Sequence, residues 1–327
     1  MPDKPAPFGR DLFGNPVEGA RAQGAMGDTF LFPPFSVLNA REGAWQDRKR
    51  AWETMGLVAN DGTRDGVLGV NSAARSMAKY NGKEVNATLD ASTSIFDPVL
   101  CELMYRWFCP PGGSILDPFA GECTKGIVAA ALGYDYTGIE LRQDQVQANI
   151  KQAAAAGVAP LWLCGDSAKL DATLGEDMMY DMVWTSPPYY DLEEYSEDKG
   201  KDGSAMARYS LFMSWYENVF KQAVAHLKYR RFLVVKVGEI RDEDGIYHGF
   251  VPDNIACFKR LGLHYYNEII LVTAVGSLPI RAGGQFRGGR KIGKTHQNVL
   301  VFWKGVPANV KPTVEGWNDG NAAALPG

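Results

Sequence analysis

The sequence predicts an α/β domain with a largely parallel sheet, and three observations lead there. Seven short runs rich in Val, Ile, Leu and aromatic residues read as strands: 114–119, 134–141, 160–166, 180–186, 231–238, 267–275 and 297–304. Helical spacing of apolar residues marks 124–133, 142–157, 208–228 and 253–262, so helices alternate with most of the strands. The last two runs have no helical pattern between them. A long loop is expected there, placing an antiparallel pair at one edge of the sheet.

Taken in order, residues 1–30 are rich in Gly, Pro and Ala and read as an extended arm. The segment FLFPPFSVLNAREGAWQDRKRAW follows; its second half reads as a short helix carrying Arg48, Lys49 and Arg50. Residues 58–93 are polar and Gly/Asn-rich, a loop pattern. Regularity starts near Ile95, and the chain after Lys304 is again Pro/Gly/Ala-rich. The expected division is an N-terminal extension over 1–94, an α/β domain over 95–305 and a tail over 306–327.

Composition narrows the function classes. The 327 residues are 46% hydrophobic and 22% charged, enough for a substantial core and unlike a disordered chain. The five cysteines are odd in number, lack CxxC spacing, and several, such as Cys101 and Cys164, sit in apolar runs. Buried thiols in a reducing compartment are expected rather than a zinc site. The N-terminal residues lack the apolar core of a signal peptide, so a cytoplasmic location is expected. The net charge of −4 does not favour a nucleic-acid partner, although local patches rather than totals make such contacts.

Candidate chemistry gathers at strand ends. In SILDPFAGECTKG a strand, a glycine turn and a helix follow one another, the arrangement that binds nucleotide-like ligands at the carboxyl edge of an open sheet. A plain strand–helix loop would look similar. Asp117 ends this first strand, Glu140 ends the second and Asp166 the third. A carboxylate at the second strand end suits ribose hydroxyls, and one at the third can accept from an exocyclic amine. Three acids at three successive strand ends point to an adenosine-type ligand. The turn lacks a second glycine, with Cys123 in that place, which disfavours a dinucleotide.

The fourth strand ends in Thr185-Ser186-Pro187-Pro188-Tyr189. Prolines cannot donate to a ladder, so they stop the strand and hold their carbonyls rigidly. The Ser186 hydroxyl and the Pro187 carbonyl can accept both hydrogens of an amino group, while Tyr189 offers a face to a planar ring. A proline turn over a core aromatic is the simpler alternative for this stretch alone.

DPFAG followed by GIEL, GDS and TSPPY resembles the S-adenosylmethionine-dependent DNA amino-methyltransferases, which modify adenine N6 or cytosine N4. The resemblance covers roughly residues 95–305 and extends to FDPVLCELMYRW before the turn and to the long C-terminal segment of phage-encoded members. It implies a Rossmann-like seven-stranded methyltransferase sheet, mostly parallel with an antiparallel edge strand, and S-adenosylmethionine as cofactor. By the same resemblance Phe96, Asp97 and Pro98 lie near the methionine moiety, and Asp117, Phe119, Ala120 and Gly121 line the cofactor. Glu140 then holds the ribose, Asp166 the adenine, and Ser186, Pro187, Pro188 and Tyr189 form the catalytic element. Cys123 departs from the common glycine. The cofactor turn precedes SPPY, the reverse of many relatives, so any target-recognition region lies elsewhere than between reversed halves.

A duplex partner with a flipped base is implied, of the kind met in restriction–modification, with Tyr189 or Tyr190 stacking on the base. Phosphate contacts are expected from Arg281, Arg287, Arg290, Lys291 and Lys294, which crowd an acid-free, glycine-rich segment. A solvated edge loop would have the same composition. The acidic stretch 191–202 would repel phosphate and reads as a lid. No Pro-Cys stands at the fourth strand end, which argues against C5-cytosine chemistry. Ser186 leans toward cytosine N4. The alternatives are an RNA or protein-glutamine N-methyltransferase, or an inactive DNA-binding module of the same fold.

Overall fold

A computed structural model describes residues 24–54, 96–190, 208–242, 244–276, 278–315 and 317. The arm before residue 24, the polar stretch 58–93 and the acidic lid over 191–202 fall outside the described residues.

Three elements precede the main domain: α1 (Gly24–Phe30), β1 (Val37–Asn39) and α2 (Ala44–Thr54). Next come α3 (Pro98–Phe108), β2 (Ser114–Asp117), α4 (Thr124–Ala131), β3 (Asp135–Glu140), α5 (Gln143–Ala155), β4 (Leu161–Cys164), α6 (Leu170–Leu174) and β5 (Tyr180–Thr185). The chain continues through α7 (Tyr209–Ala225), β6 (Leu227–Val237), α8 (Phe250–Arg260), β7 (His264–Val272), α9 (Leu278–Gly289), β8 (His296–Lys304) and α10 (Val310–Val314).

The strands form one sheet in the order β1-β7-β8-β6-β5-β2-β3-β4. Every pairing is parallel except those of β8, which runs antiparallel to both β6 and β7. The α/β class and its mostly parallel sheet are as the sequence predicted. The strand count is eight rather than seven, because Val37–Asn39 pairs with Ile270–Val272 and extends the sheet beyond β7. A three-residue strand next to prolines leaves no alternating pattern to read. Two further corrections follow. Gly24–Phe30 is helical rather than part of an extended arm. The segment between β7 and β8 contains a twelve-residue helix, α9, where a loop was expected. Pro279 is its second residue, a position that needs no N–H donor.

Helices cover both faces. One core joins α2, α3, α4 and α5 to one side of the sheet through Trp45, Trp52, Leu103, Ile127 and Trp184. The other joins α7 and α8 through Phe212, Phe220, Phe250 and Phe258. β5 is buried at all six positions, the pattern of a central parallel strand covered on both sides. Gly126 allows α4 to lie against β3 and β4: a Cβ there would come 2.5 Å from Trp162 and 3.0 Å from Tyr136.

Of the residues before 95, the described stretch 24–54 packs against this body. Trp45 and Trp52 are 1% and 0% exposed. Glu102, wholly buried on α3, receives Arg48 at 2.7 and 2.9 Å, Arg106 at 2.9 Å and the Trp52 indole at 2.8 Å. Burial alone would raise the Glu102 carboxyl, but the two guanidiniums override it and bring its pKa down to about 2. Four of the five cysteines are buried and Cys164 is exposed; all five are free thiols. Among the described residues no helix is long and apolar enough to cross a membrane.

Candidate active site

The strand order reverses between β2 and β5. From β2 the chain winds outward through β3 to β4, then crosses back to β5 and winds the other way through β6. In a doubly wound sheet this reversal opens a crevice at the carboxyl ends of the two central strands. Asp117-Pro118-Phe119-Ala120-Gly121 leaves β2 on one side of it, and Ser186-Pro187-Pro188-Tyr189 leaves β5 on the other.

The Thr185 hydroxyl ties the two lips together, donating to Asp117 Oδ1 at 2.6 Å. Asp117 is 0% exposed and its carboxylate is crowded with donors. Tyr136 OH reaches Oδ2 at 2.8 Å, the Phe119 N–H reaches Oδ1 at 3.1 Å, and Lys125 Nζ lies 2.6 Å from Oδ2. Lys125 also donates to the Phe119 carbonyl at 2.8 Å. These bonds fix the shape of the turn. The Phe119 ring turns away from β2 toward α7, packing on Trp215 and Phe220. Ala120 is 1% exposed, and its N–H is bonded to the Ile139 carbonyl at 2.9 Å.

Gly121 adopts φ +59°, and a Cβ there would find open space. Its backbone therefore borders a void, and its N–H donates to Glu140 Oε2 at 3.0 Å. Glu140 Oε1 takes the Arg142 N–H, also at 3.0 Å. Each carboxylate oxygen can accept two bonds, so both retain capacity after one backbone contact each. Burial raises the Glu140 pKa against the lowering effect of these N–H groups and of Arg142. Asp166, half-buried beyond β4, uses Oδ1 to cap the turn at Ala168 N, 2.9 Å away. These groups suit a nucleoside: two strand-end carboxylates with spare acceptor capacity flank a glycine turn without a side chain.

On the other lip, Ser186 Oγ donates to the Lys236 carbonyl at 3.3 Å, which aims its lone pairs away from the sheet. Pro187 is buried, while Pro188 and Tyr189 are partly open. The Tyr189 ring packs edge-on to Phe250, and its hydroxyl accepts from Gln297 Nε2 at 3.5 Å. Tyr190 belongs to an aromatic cluster with Tyr209, Phe212 and His248, in which Tyr209 and His248 stack at 4.4 Å.

Phe96, Asp97 and Pro98 stand at the start of α3. Asp97 is the N-cap: Oδ1 accepts from Val99 N and Leu100 N, while Oδ2 accepts from the Trp45 indole at 2.9 Å. Pro98 occupies the first helical position, as N-terminal prolines do. The Phe96 ring meets Trp184 edge-on, and its N–H donates to Glu122 Oε1 at 3.2 Å. Glu122 and Lys236 escaped the sequence reading. Glu122 was hidden in the glycine turn. It also accepts from the Thr124 N–H and hydroxyl, and burial raises its pKa. Lys236, the one cation in the apolar run LVVKV, was itself a readable signal.

The basic residues divide. Arg281 and Arg287 lie on α9, and Arg281 Nε is buried without a hydrogen-bond partner among the described residues. Arg290, Lys291 and Lys294 follow the helix and line a cleft of about 680 Å³ with Arg241, Tyr247 and His296. Lys291 Nζ donates across it to the Asp244 carbonyl at 3.2 Å, and the Arg241 guanidinium lies 3.7 Å from the Tyr247 ring centroid. The cleft adjoins the Ser186–Tyr189 lip: Glu239, on its wall, follows Gly238, which borders the Tyr189 ring, and His296 precedes Gln297. The hairpin closed at Arg241 and Tyr247 was not read from the sequence, where RDEDG looks like an ordinary acidic turn.

The chain is thus a doubly wound α/β protein with an acid-flanked ligand crevice at its switch point. No family model and no curated protein matches the sequence. Among solved structures it is similar to a methyltransferase from Pyrococcus furiosus, with a TM-score of 0.43 and 13% identity over 72% of this chain and 95% of that one. It is also similar to TrmN from Thermus thermophilus, with a TM-score of 0.43 and 17% identity over 65% of this chain and 51% of that one. TTHA0409, also of Thermus thermophilus and provisionally named a DNA modification methylase, gives a TM-score of 0.33 and 21% identity over 43% of this chain and 52% of that one. The chain spans about half the length of the last two.

Proposed function

We propose that the protein is an S-adenosylmethionine-dependent methyltransferase acting on an exocyclic amino group of a DNA base. The observation that carries this reading is the pairing, across one crevice, of a nucleoside-suited lip with an amine-suited lip. The first comprises Gly121, Glu140 and Asp166; the second is Ser186-Pro187-Pro188-Tyr189.

When bound, the cofactor supplies an electrophilic methyl group on a sulfonium. Glu140 accepts from the ribose hydroxyls and Asp166 from the adenine amine. Asp117 acts beneath them, holding the turn and β5 in register rather than touching the ligand. Ser186 Oγ, its own hydrogen committed to Lys236, accepts one N–H of the target amine, and the Pro187 carbonyl accepts the other. The amine is thereby held with its nitrogen toward the methyl group. Tyr189 stacks on the base and stabilises positive charge developing on nitrogen. Catalysis is mainly positioning and charge stabilisation. The cleft bearing Arg290, Lys291 and Lys294 lies beside Tyr189 and suits the phosphates flanking an extruded base. By the family resemblance, Ser186 leans toward cytosine N4 over adenine N6.

Methylation of mixed-sequence DNA with labelled S-adenosylmethionine, followed by nucleoside mass spectrometry, tests this directly. N4-methylcytosine or N6-methyladenine is expected. Product on RNA or on a glutamine peptide alone would move the activity to another amine, and no product at all would leave a binding module. Ser186→Ala and Tyr189→Ala should each lower the rate at least ~100-fold while cofactor binding persists.

A further inference from the structure

One cation at the crevice is left without a counter-ion. Lys236, half-buried, stands in the apolar run of β6, and its Nζ lies 4.3 Å from the centroid of Phe96. Burying an ammonium is unfavourable unless it is paired. Among the described residues, Lys236 Nζ makes neither a hydrogen bond nor an ion pair, and burial holds its pKa down to about 8.

Lys125 makes the contrast. It approaches the same Phe96 ring at 5.4 Å, but its charge is met by Asp117 at 2.6 Å and the Phe119 carbonyl. The carboxylates nearest Lys236 are already engaged. Asp97 caps α3 and receives Trp45; Glu122 holds Thr124 and the Phe96 N–H. A lone cation beside an open crevice calls for an anionic group on the ligand.

Strand order identifies that group, given the methyl-donor reading above. The nucleoside acceptor Glu140 ends β3, Asp166 follows β4 by two residues, and the amine ledge follows β5. The reactive methyl must therefore lie between the nucleoside and β5. Beyond the sulfonium the donor continues as an amino-acid chain ending in a carboxylate. Adjacent strands are about 4.8 Å apart, so a chain extending past the ledge comes over β6.

We propose that Lys236 binds the α-carboxylate of S-adenosylmethionine, so that the donor is gripped at both ends. The backbone carbonyl of Lys236 also receives the Ser186 hydroxyl at 3.3 Å. One residue then anchors the donor's tail with its side chain and orients the amine ledge with its main chain. Only the first role depends on the side chain.

The test uses two ligands with the same nucleoside thioether end. S-adenosylhomocysteine carries the amino-acid tail; 5′-methylthioadenosine lacks it. Both are titrated calorimetrically into full-length wild type, Lys236→Met and Lys236→Arg, after circular dichroism has established that the variants are folded. Lys236→Met should weaken S-adenosylhomocysteine binding on the order of 10- to 100-fold and leave methylthioadenosine binding unchanged, with Lys236→Arg in between. Equal losses for both ligands, or none for S-adenosylhomocysteine, would overturn the proposal. A wild-type protein that binds neither ligand would instead remove the methyl-donor reading, and this assignment with it.

Discussion

Asp117 and Glu140 end adjacent strands, and both were read from the sequence as ligand contacts. The structure gives their carboxylates opposite surroundings. Asp117 is completely enclosed and meets a hydroxyl, a phenol, an N–H and an ammonium. Glu140 meets two backbone N–H groups beside a void and keeps acceptor capacity on both oxygens. The Asp117 oxygens are saturated by the chain's own donors, whereas the Glu140 oxygens are not. Both are carboxylates at a strand end, so the count of donors is what separates them.

The largest effect expected from this contrast is at Asp117. Asp117→Ala strands the Lys125 ammonium in the core and should lower stability by about 3–5 kcal/mol. Urea unfolding of the purified variant would measure it, and a midpoint equal to wild type would collapse the distinction.

A second saturated carboxylate extends the comparison through pH. The pKa of Glu102 is depressed to about 2 in the folded state, against 4.5 for an ordinary Glu. A depressed folded pKa means that stability is fully present above about 4.5 and is lost as pH falls from there through about 2. The loss is on the order of 3 kcal/mol. Urea midpoints across this window should fall in wild type and flatten in Glu102→Gln, measured against that variant's lower starting stability.

The smallest stability change but a clear binding change is expected at Glu140. Glu140→Gln should weaken cofactor binding about 10- to 100-fold while shifting unfolding by about 1 kcal/mol or less. Burial raises the Glu140 pKa, and the protonated form loses acceptor capacity, so wild-type affinity should begin to fall on acidification above the usual carboxylate range. Calorimetry against pH would show it; a profile set by an ordinary carboxylate would weaken the ribose assignment.

Much of the candidate site could be picked out in the sequence because strand ends and turn residues are local signals. DPFAG, GIEL, GDS and TSPPYY each sit at or just after a strand end and carry a polar residue within a few positions, so no distant partner is needed to find them. Other parts depended on partners far away in the chain. Trp45 reaches Asp97 across 52 residues, and Arg48 reaches Glu102 across 54, contacts that no local pattern announces. The basic segment after β7 misled in a different way. Its glycines favour loop by propensity, yet Leu278–Gly289 is helical.

The sequence by itself determined the alternation of strands and helices, the acids at strand ends and the Ser-Pro-Pro-Tyr ledge, since hydrophobic period and turn chemistry are written in neighbouring residues. Tertiary structure alone decided which acids stay available and which cations stay unpaired. Those properties depend on how many donors the folded chain brings to each carboxylate, and whether any carboxylate reaches each ammonium. Asp117 and Lys125 neutralise one another; Glu140 keeps acceptor capacity, and Lys236 finds no counter-ion among the described residues.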